Sequence, residues 1–143
     1  MNCRWIVIDA LVAVFLAGVL LQAQGSLELR AASSVAVGGW QQMPGPGGTM
    51  LWVSTTSALT DADIARAEAR TQSDGQRTVA VVFTTDGARK MAQLSTAQIG
   101  KPVAVLLDGK IIAAPIVRSS IANEATITGT TENLDRVLLL LKK

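Results

Sequence analysis

Two apolar runs, Val103-Ala104-Val105-Leu106-Leu107 and Lys110-Ile111-Ile112-Ala113-Ala114, flank Asp108-Gly109. Asp-Gly between such runs is the strongest short-range hairpin signal, because a type I′ turn needs positive φ at both central positions. The pair commits this stretch to two antiparallel strands and excludes an all-helical chain. Pro115 ends regular pairing or marks an edge.

The preceding segments extend the pattern. In Val79-Ala80-Val81-Val82-Phe83, residues Val79, Val81 and Phe83 share one face and Ala80 and Val82 the other. Both faces are apolar, which predicts a central strand covered on both sides. Thr84 is a good N-cap and Asp86 lies in the first turn of the helix that follows. Ala88, Met91, Ala92 and Ser95 recur at helical spacing as a narrow face, and Gly100 ends that region.

Upstream, Leu27-Glu28-Leu29-Arg30 alternates with period two and Met50-Leu51-Trp52-Val53-Ser54 reads as a second strand. Gly38-Gly39 and Pro44-Gly45-Pro46-Gly47-Gly48 between them predict a loop. Thr60-Asp61-Ala62-Asp63 has the signature of a helix start, here of as little as one turn. The alanines and arginines of residues 65–71 would suit a helix by propensity, but the turn cluster Ser73-Asp74-Gly75-Gln76 favours a strand from about Ala67 to Gln72 as hairpin partner for the strand at 79–83. Downstream, Ala125-Thr126-Ile127-Thr128-Gly129 predicts another strand. Thr131 is placed to cap a last helix with Leu134, Val137, Leu138 and Leu141 on one stripe and Lys142 and Lys143 at its negative end. The expectation is α+β: a mainly antiparallel sheet with two helices packed on it.

The N-terminus is a separate segment. A short basic start, Met1-Asn2-Cys3-Arg4, precedes an almost wholly apolar stretch over residues 5–21, and Ala23-Gln24-Gly25 offers small residues for cleavage before Ser26. That is the three-part pattern of a signal peptide. The stretch also reaches the lower limit for a membrane anchor, roughly 17 residues. Asp9 disturbs both readings, since a carboxylate at mid-membrane costs about 2.5–3.5 kcal/mol. Residues 1–25 are therefore read as a signal peptide or an N-terminal membrane anchor, with cleavage the favoured reading. Residues 26–49 follow as a short strand and a Pro/Gly-rich loop, and residues 50–143 as the main domain.

Composition narrows the chemistry. Among 143 residues there is no His, which removes the commonest general base and metal ligand, and the one Cys is Cys3, in the N-terminal segment. The net charge of +2, spread singly, does not point to nucleic acid. Asp61 and Asp63 are the closest carboxylate pair, but residues two apart do not face each other on a helix, and first-turn acids commonly serve the dipole. Asp108 reads as a turn residue. Gly45 to Gly48 lacks the Lys-Ser/Thr of a phosphate loop, and Ser33 and Ser34 have no His partner. Trp40 and Trp52 suggest an aromatic binding face or, more simply, cover for the edge of a small core. No catalytic, cofactor-binding or metal site is assigned, and no polypeptide-binding residue can be singled out.

Val81-Val82-Phe83-Thr84, Gly87-Ala88, Lys90-Met91, Ile99-Gly100-Lys101 and the run from Val105 through Asp108-Gly109 to Pro115 come in a specific order and spacing. In these pieces the chain resembles the head subdomain of the first periplasmic region of SecD, a membrane subunit of bacterial protein export. Weaker similarity extends back through Leu59 to Ile64 and forward through Ile127-Thr128-Gly129, so that about residues 50–141 are covered. The resemblance implies an α+β head outside the membrane, without catalytic residues, that holds emerging polypeptide. Gly87, Gly100 and the Asp108-Gly109 turn then look like fold determinants. The chain has room for one membrane span where SecD has several, which implies a stand-alone head-like module and not an independent proton-driven translocator. The resulting expectation is a non-catalytic extracytoplasmic binding module, exported or tethered to the inner membrane. Its expected partners are unfolded or translocating polypeptide or export-translocase subunits. An envelope scaffolding protein reusing the fold is the alternative, and a hydrolase built on carboxylates is a remote third.

Overall fold

The computed structural model describes residues 25–141; the N-terminal apolar segment, Asp9, Lys142 and Lys143 lie outside the described residues. The element order is β1 (Leu27–Ser33), β2 (Gln41–Pro44), β3 (Met50–Val53), β4 (Leu59–Thr60), β5 (Ile64–Thr71), β6 (Arg77–Phe83), α1 (Thr85–Ala97), β7 (Val103–Leu107), β8 (Lys110–Ala113), β9 (Glu124–Ile127) and α2 (Thr131–Leu141). Short 3-10 turns stand at Pro46–Gly48 and Asp61–Asp63. Two helices packed on antiparallel sheets make the fold α+β, as expected.

The larger sheet has the order β2-β3-β1-β7-β8, with β4 pairing β1 as well; the smaller is β5-β6-β9. Every strand pair is antiparallel. The β7–β8 hairpin turns on Asp108 and Gly109, with φ of 53° and 81°, the left-handed pair that the Asp-Gly dipeptide supplies. All five residues of β7 are buried because β1 and β8 flank it and both its faces are covered. On one face, Leu27, Leu29, Val103, Val105 and Leu107 join the main core with Val79, Val81, Ile127, Met91 and the α2 residues Leu134, Val137 and Leu141. On the other, Ala32, Ala104 and Leu106 form a small second cluster with Leu51 and Val53 of β3. β1 thus lies in the middle of the larger sheet, bonded to β7 on one side and to β3 and β4 on the other.

Four expectations are corrected. The Pro/Gly stretch is not all loop, for Gln41–Pro44 pairs with Met50–Val53 as an edge strand. An edge strand can end in Pro, which has no N–H to leave unpaired, and Gly47 and Gly48 take φ of 77° and 86° to reverse the chain. The buried face of α1 is Gly87, Met91, Leu94 and Ser95, so Leu94 takes the place expected for Ala92. The cap of α2 is Thr130, one residue earlier than expected: its hydroxyl accepts from the Asn133 N–H at 3.3 Å. In β6, Val82 is only half-buried, while Val79, Ala80, Val81 and Phe83 are buried.

Candidate functional site

α1 sets the geometry of the site at both of its ends. At its start, the Thr84 hydroxyl accepts from the Gly87 N–H at 3.0 Å, as an N-cap should. The helix then passes over the Asp63 turn so closely that a Cβ at Gly87 would lie 2.2 Å from the Asp63 carbonyl oxygen. Asp63 is the hub of that turn. Its carboxylate accepts from the Thr60 N–H at 3.1 Å and the Lys90 ammonium at 2.9 Å. Burial pushes the Asp63 carboxyl up, but the Lys90 and Thr60 hydrogen bonds and the Lys90 charge outweigh it and hold the group below its ordinary value.

At its other end α1 carries two buried polar side chains that the sequence reading did not single out as anchors. The Ser95 hydroxyl donates to the Ile121 carbonyl at 3.2 Å and accepts from the Ile121 N–H at 2.8 Å. The Gln98 amide donates to the Ala32 and Pro102 carbonyls at 2.8 and 2.9 Å. Beyond Gly100 (φ 82°), the Gly100 N–H donates to the Val117 carbonyl at 2.7 Å and the Val103 N–H to the Pro115 carbonyl at 3.0 Å. The segment from Pro115 to Ile121 is thereby fastened along its length.

That segment forms the rim of an apolar cavity of about 450 Å³ between the two sheets. Leu29 and Val105 line it from the larger sheet, Val81 and Ile127 from the smaller, and Met91 from α1. Ile116 stands on the rim, 53% exposed. A second hollow of about 540 Å³ continues past Pro115 between residues 112–115 and 128–130. The first hollow lies along β9, and the second continues from it to the end of β8; β8 and β9 are edge strands of separate sheets, and the seam runs between them. The Phe83 N–H donates to the Asn123 carbonyl, so the antiparallel alternation turns the backbone N–H and C=O groups of Glu124 and Thr126 away from β6. An apolar floor beside an open strand edge is a place where an extended peptide can add a strand and bury alternate side chains. The volume falls within the range of ordinary ligand sites.

The residues weighed as chemical candidates go elsewhere. Asp61 and Asp63 lie in the 3-10 turn, where Asp63 is engaged by Lys90. Asp108 is the turn residue expected, and its carboxylate also accepts from the Ser26 N–H at 2.9 Å and pairs with Arg136. Ser33 closes the end of β1, accepting from the Val35 N–H at 3.1 Å. Gly45 to Gly48 form the tip of the β2–β3 hairpin. Trp52 turns away from the small second cluster. Met43, Leu51 and Val53 point inward, and the register puts Trp52 on the opposite face of the hairpin. Among the described residues, no group of three or more His, Cys, Asp or Glu could hold a metal ion, and no helix is long and apolar enough to cross a membrane.

By fold and site the molecule is an α+β head-type domain with an apolar seam between two antiparallel sheets. Residues 40–142 match the family described as SecDF, P1 head subdomain. The chain belongs to that family. It is 36% identical over 87 residues to the protein translocase subunit SecDF of Thermus thermophilus, covering 59% of this chain and 12% of that protein. It is 38% identical over 77 residues to the protein translocase subunit SecD of Acidaminococcus fermentans, covering 53% and 18% respectively. A solved structure of SecDF, described as a membrane component that enhances protein export, superposes with a TM-score of 0.65 at 25% identity. That match covers 86% of this chain and 64% of the other. The chain thus spans less than a fifth of the length of these two translocase relatives.

Proposed function

We propose that this protein is a non-catalytic extracytoplasmic module that holds an extended, apolar-rich stretch of unfolded or translocating polypeptide in the seam between β8 and β9. The observation that carries the reading is the 450 Å³ apolar cavity beside the open edge of β9. Main-chain pairing to Glu124 and Thr126 would supply sequence-tolerant affinity, and the floor of Leu29, Met91 and Val105 would favour apolar side chains. Tolerance of that kind suits a partner that is unfolded and varied. The apolar segment of residues 5–21 supports placement beyond the inner membrane, whether it is cleaved before Ser26 or kept as a tether. The relatives are translocase subunits, which supports export-translocase subunits as further partners.

Fluorescence anisotropy with a labelled, permanently unfolded apolar peptide tests this. Wild type is expected to bind it. Ile116→Glu places a charge on the exposed rim, so affinity falls by about tenfold, about 1.4 kcal/mol, while the folded state is unaffected. Equal binding by wild type and Ile116→Glu, or no binding by either, would contradict the proposal.

A further inference from the structure

The residues at which the chain enters the described fold are held at one pole of the molecule. The Ser26 N–H donates to the Asp108 carboxylate and the Asp108 N–H returns a bond to the Ser26 carbonyl, each at 2.9 Å. Arg136 of α2 pairs with the same carboxylate. A Cβ at Gly25 would lie 3.7 Å from a methyl of Leu140. β1, the β7–β8 turn and α2 therefore meet at the entry point, around a shallow hollow lined by Gly25, Leu107, Asp108, Arg136, Leu139 and Leu140.

Leu139 at this hollow is 73% exposed, more than any other large hydrophobic residue among those described. Gly25 lies only four residues past Leu21, the last of the apolar stretch, a reach of about 14 Å at full extension. If the stretch sits in a bilayer, this pole is held against its surface. The charges suit such a surface. Lys110 is exposed beside the turn, Arg136 stands at the hollow, and Lys142 and Lys143 follow Leu141 directly in sequence. The nearby acids are engaged, Asp108 by Arg136 and Asp135 by Arg77.

We infer that the pole built from Gly25, the Asp108-Gly109 turn and the C-terminal half of α2 is a docking face for an anionic lipid surface, with Leu139 entering the interface and Lys110 meeting the headgroups. The inference rests on the tether reading of residues 1–25. An exposed apolar side chain on a face that also carries an exposed Lys is the chemistry that such surfaces recognise, and the attraction acts within a Debye length. Docking would fix which way the domain stands on the membrane.

Environment-sensitive nitrobenzoxadiazole labels test it on the full chain carrying Cys3→Ser, with Leu139→Cys at the pole or Val35→Cys beyond the far end of β1. β1 separates the two sites by about 20 Å. The proteins are reconstituted with phosphatidylcholine vesicles, with and without phosphatidylglycerol, and recovered by flotation. The label at 139 is expected to brighten and shift to the blue, more so with phosphatidylglycerol and less so at high salt, while the label at 35 stays as in water. Adding Lys110→Glu should dim the 139 signal. A chain that floats with a silent 139 label overturns the docking face alone. A chain that does not float overturns the tether and the docking face together, and leaves the peptide seam standing.

Discussion

The two ends of α1 meet the rest of the molecule in opposite ways. At Gly87 the helix lies backbone to backbone on the Asp63 turn, with no room for one more carbon. At Ser95 it holds the rim segment by side-chain hydrogen bonds to Ile121, and beside it the Gln98 amide ties down the Ala32 and Pro102 carbonyls. The first contact leaves no slack and the second leaves a seam. A single rigid element can thus lock one side of a fold while keeping a cavity open on the other, provided that its polar side chains satisfy the carbonyls that the open side would otherwise strand.

This contrast predicts a graded set of effects. The largest is Gly87→Ala. The methyl gains about 1 kcal/mol of helix propensity but collides with backbone that cannot turn aside, at a cost of about 3 kcal/mol or more. Urea unfolding is expected to show a lower midpoint at unchanged slope; wild-type stability would show that the junction has slack after all. Next is Gln98→Leu, which removes the buried amide from the Ala32 and Pro102 carbonyls and costs about 2 kcal/mol. Ser95→Ala follows at about 1 kcal/mol, with a local signature: the Ile121 amide should exchange much faster than amides in β7. Uniform acceleration across the domain would mean that Ser95 is ordinary core and not a rim fastener.

The smallest effect concerns acid. Asp63 and Glu28 both have folded-state pKa values held below the ordinary one. For Glu28 partial burial opposes the shift, while hydrogen bonds from Ser57 and Arg30 and the Arg30 charge drive it. A depressed carboxylate contributes stability above its unfolded pKa, about 4, and loses it as pH falls through the folded value. Stability should therefore decline on acidification below about pH 4. Lys90→Met should flatten the part due to Asp63 and cost about 1 kcal/mol at neutral pH, since Lys90 is half-exposed. An unchanged acid profile in that variant would remove Asp63 from the account.

What the sequence made legible follows the range over which each signal acts. The Asp108-Gly109 turn, the Thr84 cap and the β5–β6 hairpin are written in a few neighbouring residues, and all three stand where the local pattern puts them. β2 escaped notice because its pairing is with β3 while its own composition, ending in Pro44, argues against a strand. The inward face of α1 was set one position off because Gly87, with no side chain to signal burial, is the residue that fixes the helix's orientation. The seam was not legible at all. It joins Leu29, Met91, Val105 and Ile127, each of which reads locally as ordinary core, and only the tertiary arrangement leaves a space between them. Ser95 and Gln98 were hidden likewise, since their partners are 26 and 66 residues away.

The most direct test of the central claim is amide chemical-shift mapping of residues 26–143 as an unfolded apolar peptide is added. The account predicts shifts confined to Glu124–Ile127 and to residues 116–121, with new protection at the Glu124 and Thr126 amides. Shifts gathered on the Trp52 face of the β2–β3 hairpin, or none anywhere, would contradict it.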